Sequence, residues 1–309
     1  MTASLVGFFT PGSPEWHTAR AHGIGGSEVA AVLGLSPWES RFSLWHRKQG
    51  RASDVIVNEQ MEWGNRLEDA VCQKFSETHP EYHGCTTGTW AHDERPWQIA
   101  NPDRLLYPPD AGVGALPGAL LEAKTARYAD GWGADGTDII PVYYRSQTLW
   151  YLDVLALPVA HVAVLIGGSD YREYELGAEP DEQAWIREQV AAFLTSIIRD
   201  ERPDIDAHSA TYTVLREQHP DIDGTDVEIP MPLALAYQDA LAAAEQADAQ
   251  KAQQASLVLD AIGGGRRAVT PLGERIAMRV PGRGTNPPYL KATPTAKTSP
   301  TSVRKAATA

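Results

Sequence analysis

The stretch Ala119-Leu-Leu-Glu-Ala-Lys-Thr-Ala126 restricts what this chain can fold into more than any other. It is short and apolar, and the turn-rich PPDAGVGALPG precedes it, which marks a buried strand rather than an edge. Side chains alternate faces along a strand, so Glu122 and Lys124 share one face and Ala123 points into the other layer. A glutamate and a lysine inside such a strand are costly unless something compensates them. A second strand, Trp90 to Tyr107 with a break at Pro96, runs through IANPDRLLY and is expected to pair antiparallel with the first. That pairing brings Asp103 beside Glu122 and Lys124. Two close carboxylates repel unless a cation separates them, and Mg²⁺ takes oxygen ligands from such clusters; the Ala123 carbonyl is a further donor. A lysine beside the metal orients a water and offsets charge developing on a phosphate. An isolated Asp…Glu-x-Lys also describes a turn aspartate and an exposed ion pair. The apolar neighbours of Glu122 weigh against that simpler reading.

Around this centre the chain reads as alternating helices and strands. Two short helices flank the glycine turn GIGGSE, with Ser27 expected to cap EVAAVLG, Gly34 to end it and Pro37 to open the next helix. NEQMEWGNRLEDAVCQKF places Met61, Leu67, Val71 and Phe75 at helical spacing, which puts Glu68 at the edge of the buried stripe. PVYYRSQTLWYLDVLAL is a helix on which Gln147 and Tyr151 share a face. VAHVAVLIGG is a central strand with DYREYEL as hairpin partner, and a helix from about Pro180 to Arg199 closes an α/β domain. This organisation predicts a catalytic domain over 1–205 and a linker plus long alanine-rich helix over 206–262. Residues 263–309 are expected to hold a basic hairpin and then a largely disordered tail.

Charge sharpens the division. Nine of the 27 Lys/Arg but only one of the 40 acidic residues lie from Gly263 onward, so that segment carries +8 and residues 1–262 carry −21. An acidic body suits gathering divalent cations, while the basic tail is expected to add DNA affinity without sequence preference. No apolar run reaches the roughly 18 residues of a membrane span. The N-terminus lacks a basic start and is broken by Pro11 and Pro14, unlike a signal peptide. Two cysteines, Cys72 and Cys85, exclude a disulfide framework and point to a reducing, cytoplasmic setting. Cys72, His79, His83, Cys85 and His92 match no standard zinc spacing and read as a polar loop. Trp38 and Trp45, at helical spacing, are expected in the core.

Gly23-Ile24-Gly25-Gly26-Ser27-Glu28 looks built for an anion, since glycines let backbone N–H groups approach closely and Ser27 adds a hydroxyl. It follows no predicted strand of a βαβ unit, which disfavours a dinucleotide. Taken in order, GIGGSE, MEWGNRLED, NPD, LEAK and QTLWY resemble the phage-type recombination exonucleases. These are the YqaJ-like, lambda-exonuclease group within the PD-(D/E)xK nucleases, and the likeness covers about residues 14–200.

The resemblance implies an α/β restriction-endonuclease-like core, a central mixed β-sheet flanked by helices, with a C-terminal helical extension and basic tail appended. It implies a Mg²⁺-dependent exonuclease that degrades one strand of duplex DNA from a 5′ end. The product is a 3′ single-stranded overhang for recombination by single-strand annealing. The family's core Asp, Glu and Lys match Asp103, Glu122 and Lys124, its helical glutamate matches Glu68, and its Gln-x-x-x-Tyr element matches Gln147 and Tyr151. Two Mg²⁺ ions per site are implied, replaceable by Mn²⁺, on Asp103, Glu122 and the Ala123 carbonyl, with Glu68 reached directly or through water. The family's 5′-phosphate pocket falls on Arg20 and Ser27, with Gly26 in the turn. Asn101 stands where the best-known member has a phosphate-binding serine, and it can still donate a hydrogen bond. Implied partners are duplex DNA ends, a single-strand annealing protein and further copies of the chain in a trimer, in the host cytoplasm and with no membrane. The core residues do not fix polarity, so an endonuclease or a nuclease of opposite polarity stays open. A catalytically silent DNA-end-binding recombination protein also stays open, although the intact Asp103, Glu122, Lys124 and Gln147 argue against it.

Overall fold

In the computed structural model, residues 2–293 are described except Pro11, His22 and 55–57; the tail expected to be disordered lies outside them beyond residue 293. The chain divides into one compact unit ending at Pro220 and a second beginning at Asp221.

The first unit opens with β1 (Ala3–Gly7), α1 (Pro14–Arg20), the two-residue β2 (Ile24–Gly25) and α2 (Gly26–Val32). A short strand therefore does precede the glycine-opened helix, although it pairs in parallel with a strand far along the chain. Next come α3 (Arg41–Lys48), α4 (Glu59–Thr78), β3 (His83–Thr86), β4 (Thr89–His92), β5 (Gln98–Ala100), β6 (Arg104–Tyr107) and β7 (Ala119–Ala126). The unit closes with α5 (Val142–Leu155), β8 (Val159–Ile166), β9 (Asp170–Gly177), α6 (Pro180–Ile198) and α7 (Ser209–Gln218). β7 is the middle strand of a mixed five-stranded sheet, β3-β6-β7-β8-β9, antiparallel to β6 and parallel to β8. A second mixed sheet has the order β1-β4-β5-β2. The expected mixed sheet flanked by helices is thus present. Trp90–Tyr107 forms three strands rather than one, because turns interrupt it at 93–97 and again at 101–103.

The helices cover the central sheet on both faces. Val71, Cys72 and Phe75 of α4 pack with Leu121, Ala123 and Ala163. Leu149, Leu152 and Leu155 of α5 pack with Leu105, Leu120 and Ala160 on the opposite side. Alternation along β7 therefore sends Ala123 to the α4 layer and Glu122 and Lys124 to the α5 layer. No described helix is long and apolar enough to cross a membrane.

Several local expectations are corrected. Gly25, not Ser27, is the N-cap of α2, and its N–H donates to Glu28 Oε2 at 2.9 Å. α3 begins at Arg41 rather than Pro37, because the Ser40 hydroxyl accepts from the Ser43 N–H at 2.9 Å and fixes the start there. Met61 stays exposed on α4, so the buried stripe is confined to the helix's second half. Trp45 is core, whereas Trp38 is 64% exposed and packs edge-on against Tyr143. The cysteine–histidine segment is no loop: Cys72 lies on α4, His83 and Cys85 on β3, and His92 on β4. His79, at the end of α4, is held between Glu81 and Glu173, each at 2.7 Å. The Pro/Asp-rich stretch expected as a linker contains α7, whose Thr211 is buried on Ser40 of the α3 cap at 2.7 Å.

In the second unit α8 (Met231–Ile262) is the expected alanine-rich helix, stopped at Gly263, where φ is +50°. β10 (Arg267–Val269), β11 (Arg275–Val280) and β12 (Tyr289–Ala292) follow as an antiparallel three-stranded sheet. The expected hairpin thus gains a third strand from a segment assigned to the tail.

Candidate active site

The bend before β6 places Asp103 across from β7, where its Oδ2 accepts the Ala123 N–H at 2.7 Å. Glu122, only 2% exposed, has Oε1 held by two donors: Lys124 Nζ lies at 2.5 Å and Gln147 Nε2 of α5 at 2.6 Å. Gln147 also donates to the Tyr151 hydroxyl at 3.1 Å. Lys124 Nζ sits 5.1 Å from the Tyr144 ring centre, a cation–π contact.

The electrostatics describe carboxylates short of positive charge. Burial, then the Glu122 charge, push the Asp103 carboxyl up to about 7, against the pull of Lys124 and the Ala123 N–H. Burial also raises Glu122, although Lys124 opposes it. Burial disfavours the Lys124 ammonium, but Glu122 and Asp103 outweigh it and hold the lysine charged. One atom is left over: Glu122 Oε2 is buried with no hydrogen-bond partner. An orphaned carboxylate oxygen beside a second raised carboxyl suits a hard divalent cation. Among the described residues no three Asp, Glu, His or Cys side chains gather into a metal-holding group. The donors in place are therefore Asp103 and Glu122.

Glu68 stands apart for a reason sequence reading missed. Arg104, which follows Asp103, donates to Glu68 Oε1 at 3.3 Å and to the Asp103 carbonyl at 2.6 Å, and pairs with Asp69 as well. The arginine thus ties α4 to the start of β6, and Glu68 spends its charge there. Burial, then Asp103, raise the Glu68 carboxyl all the same, so it lies within electrostatic reach of the centre. An arginine leaving a core aspartate beside the Glu68-Asp69 pair was the available signal.

The glycine turn is organised around Arg20. Its guanidinium donates to Ser27 Oγ at 3.1 Å and to Asn101 Oδ1 at 3.4 Å, and lies 4.4 Å from the Trp16 ring centre. Asn101 is anchored in turn on Thr89 Oγ1 at 2.6 Å. A Cβ on Gly25 would lie 2.3 Å from Arg20 Nη2, and one on Gly26 would lie 2.4 Å from Tyr151 Cε1. The glycines are therefore required by two side chains that press on the backbone, and the Gly25 N–H is already occupied by Glu28. Glu28 faces the helix start and is the counter-ion of a buried cationic trio, with Arg47 and Lys48 at 3.0 Å and Arg20 at 3.5 Å. A cavity of about 270 Å³ opens on this cluster, lined by Trp16, Arg20, Glu28, Arg47 and Lys48. Tyr151 connects the two groups, with its ring on Gly26 and its hydroxyl on Gln147. The structure thus assembles Asp103, Glu122, Lys124, Gln147 and Tyr151 in one group and Arg20, Ser27 and Asn101 in an adjoining one.

Residues 15–157 match the YqaJ-like viral recombinase domain, the span that contains both groups. The uncharacterized protein YqaJ of Bacillus subtilis (strain 168) is 30% identical over 210 residues, covering 66% of this chain and 62% of that relative. The chain therefore spans less than two thirds of the relative's length. Two solved structures are similar at low identity. An alkaline exonuclease from Laribacter hongkongensis has a TM-score of 0.46 at 16% identity, covering 67% of this chain and 99% of that one. A phage-related exonuclease from Haemophilus somnus 129PT has a TM-score of 0.42 at 11% identity, covering 57% and 94%. Likenesses at this level assign no residue role to the chain.

Proposed function

We propose that this protein is a metal-dependent exonuclease that removes nucleotides from the 5′ end of one strand of duplex DNA and leaves a 3′ overhang for recombination. The observation that carries the reading is the unpartnered, buried Glu122 Oε2 beside Asp103, on a strand that also presents Lys124. Asp103 and Glu122, with the Ala123 carbonyl, would hold Mg²⁺ or Mn²⁺, and Glu68 would support a second ion through water. The bound ion supplies Lewis-acid polarisation of a phosphoryl oxygen and makes water more acidic.

The chain's own groups do the rest. Gln147 locks the Glu122 carboxylate in one orientation, and Tyr151 fixes Gln147 in turn. Lys124, held charged, orients the attacking water and offsets negative charge growing on the phosphate. Arg20 and Ser27 bind the terminal 5′-phosphate, with Asn101 steering the guanidinium. Because Tyr151 packs on Gly26 and bonds to Gln147, the phosphate grip and the cutting site keep a fixed spacing. Each cut then leaves a new 5′-phosphate for the same grip. A trimer, on the family's pattern, would hold the enzyme on its substrate, and a single-strand annealing protein would take up the exposed strand.

Glu122→Gln and Lys124→Ala should each abolish digestion of linear duplex while the circular dichroism spectrum stays that of the parent. Digestion at the parent rate by either variant contradicts the assignment.

A further inference from the structure

The second unit contains a sheet surface that this reaction does not use. Alternation along β11 sends Ala277 and Arg279 to one face and Ile276, Met278 and Val280 to the other. The first face is partly engaged, although Arg275 at its edge is exposed: Ala277 is buried, and Arg279 donates to the Gly263 carbonyl at the end of α8 at 2.5 Å. Across the second face, Met278 pairs with Arg267 on β10 and with Lys291 on β12, while Val280 pairs with Tyr289. Arg267, Lys291, Ile276 and Tyr289 are all exposed, the last at 54%.

We propose that this open face, where Arg267 and Lys291 flank Met278 with Tyr289 beside them, binds single-stranded DNA. Charge selects a polyanion: residues 263–293 hold six Lys/Arg against Glu274 alone, whereas 221–262 hold eight Asp/Glu against Lys251 alone. The acidic helix arm repels DNA, so binding is confined to the sheet. The apolar and aromatic part selects single strands. A duplex presents phosphates outward and keeps its bases stacked, while a single strand offers base faces to a tyrosine ring. Adjacent strands lie about 4.8 Å apart, so the backbones of Arg267 and Lys291 are about 10 Å apart, with Met278 between them. On that arrangement Arg267 and Lys291 take phosphates and Tyr289 takes one base. The choice of DNA over RNA rests on the proposed reaction, which leaves a single DNA strand; the geometry of the face does not depend on that reaction.

The test is fluorescence anisotropy of the full chain with a labelled twenty-nucleotide oligo-dT in EDTA, where no digestion occurs. Digestion competence of each variant is measured separately on duplex. Tyr289→Ala should weaken binding about fivefold or more with an unchanged salt slope, and Tyr289→Phe should restore it. Arg267→Gln combined with Lys291→Gln should weaken binding about tenfold. It should also flatten the plot of log affinity against log salt by about 1.4, the slope of two phosphate contacts on a single strand. Parent-like affinity and slope in both Tyr289→Ala and the double variant would overturn the proposal. So would a change in oligomeric mass in those variants without a change in DNA affinity, which would mark the face as a contact between copies.

Discussion

Glu28 is the residue whose loss should be felt most widely. It is 5% exposed and balances Arg20, Arg47 and Lys48. Burial raises its carboxyl, but Lys48, Arg20 and Arg47, with the Gly25 N–H, outweigh burial and bring it from 4.5 down to about 2. A depression of about 2.5 units at 1.36 kcal/mol each corresponds to about 3 kcal/mol of folding stability. Since the folded value is the lower one, this stabilisation is fully present above about pH 4.5 and disappears as the pH falls towards 2. Glu28→Gln should therefore lower the melting temperature at pH 7 by about 6–12 °C for a unit of this size. The difference between thermal melts of the parent and the variant should shrink progressively from pH 7 to pH 3. The same substitution releases one anchor of Arg20, so selectivity for 5′-phosphorylated ends should fall with it. A variant that melts with the parent at pH 7, or a difference that does not shrink in acid, would refute the counter-ion role.

Gly26→Ala tests the connection between the two residue groups. The new methyl would lie 2.4 Å from Tyr151 Cε1, so the ring must move, at a cost of about 1–3 kcal/mol, and digestion should slow markedly as the Gln147 contact loosens. Urea denaturation and initial digestion rates measure both effects. A chain ended after residue 220 should keep the melting temperature of the first unit, whereas one ended after 205 should melt at least about 5 °C lower. The shorter chain loses α7, with buried Val214 and the Thr211–Ser40 hydrogen bond.

The central sheet was legible because its strands state their environment. ALLEAKTA and VAHVAVLI are too apolar to lie anywhere but the interior, and their neighbours supply the turns, so the β6–β7 and β8–β9 pairings follow. Gln147 and Tyr151 on one face of α5 were legible from helical spacing alone. What stayed hidden depends on contacts between segments remote in sequence. Trp38 fits a helical core pattern, but it lies in the bend before the Ser40 cap and is left outside. α7 is weakly apolar by itself and is held through Thr211 and Val214, which read as linker until α3 is beside them. The glycines of GIGGSE read as an anion cradle, because sequence shows that a Cβ is missing but not what replaces it. Here Arg20 and Tyr151 replace it. Arg104 escaped notice because its partner Glu68 belongs to a helix 36 residues earlier.

The central claim is that cutting begins at a phosphorylated 5′ end. It is tested most directly by offering three Mg²⁺-containing substrates side by side: linear duplex with 5′-phosphate, the same duplex with 5′-hydroxyl, and a covalently closed circle. The account predicts rapid release of 5′-terminal nucleotides from the first, at least about tenfold slower release from the second, and no cutting of the circle. The phosphate preference should vanish in Arg20→Ala. Nicking of the circle, release from 3′ ends first, or equal rates on phosphorylated and hydroxylated ends would contradict it.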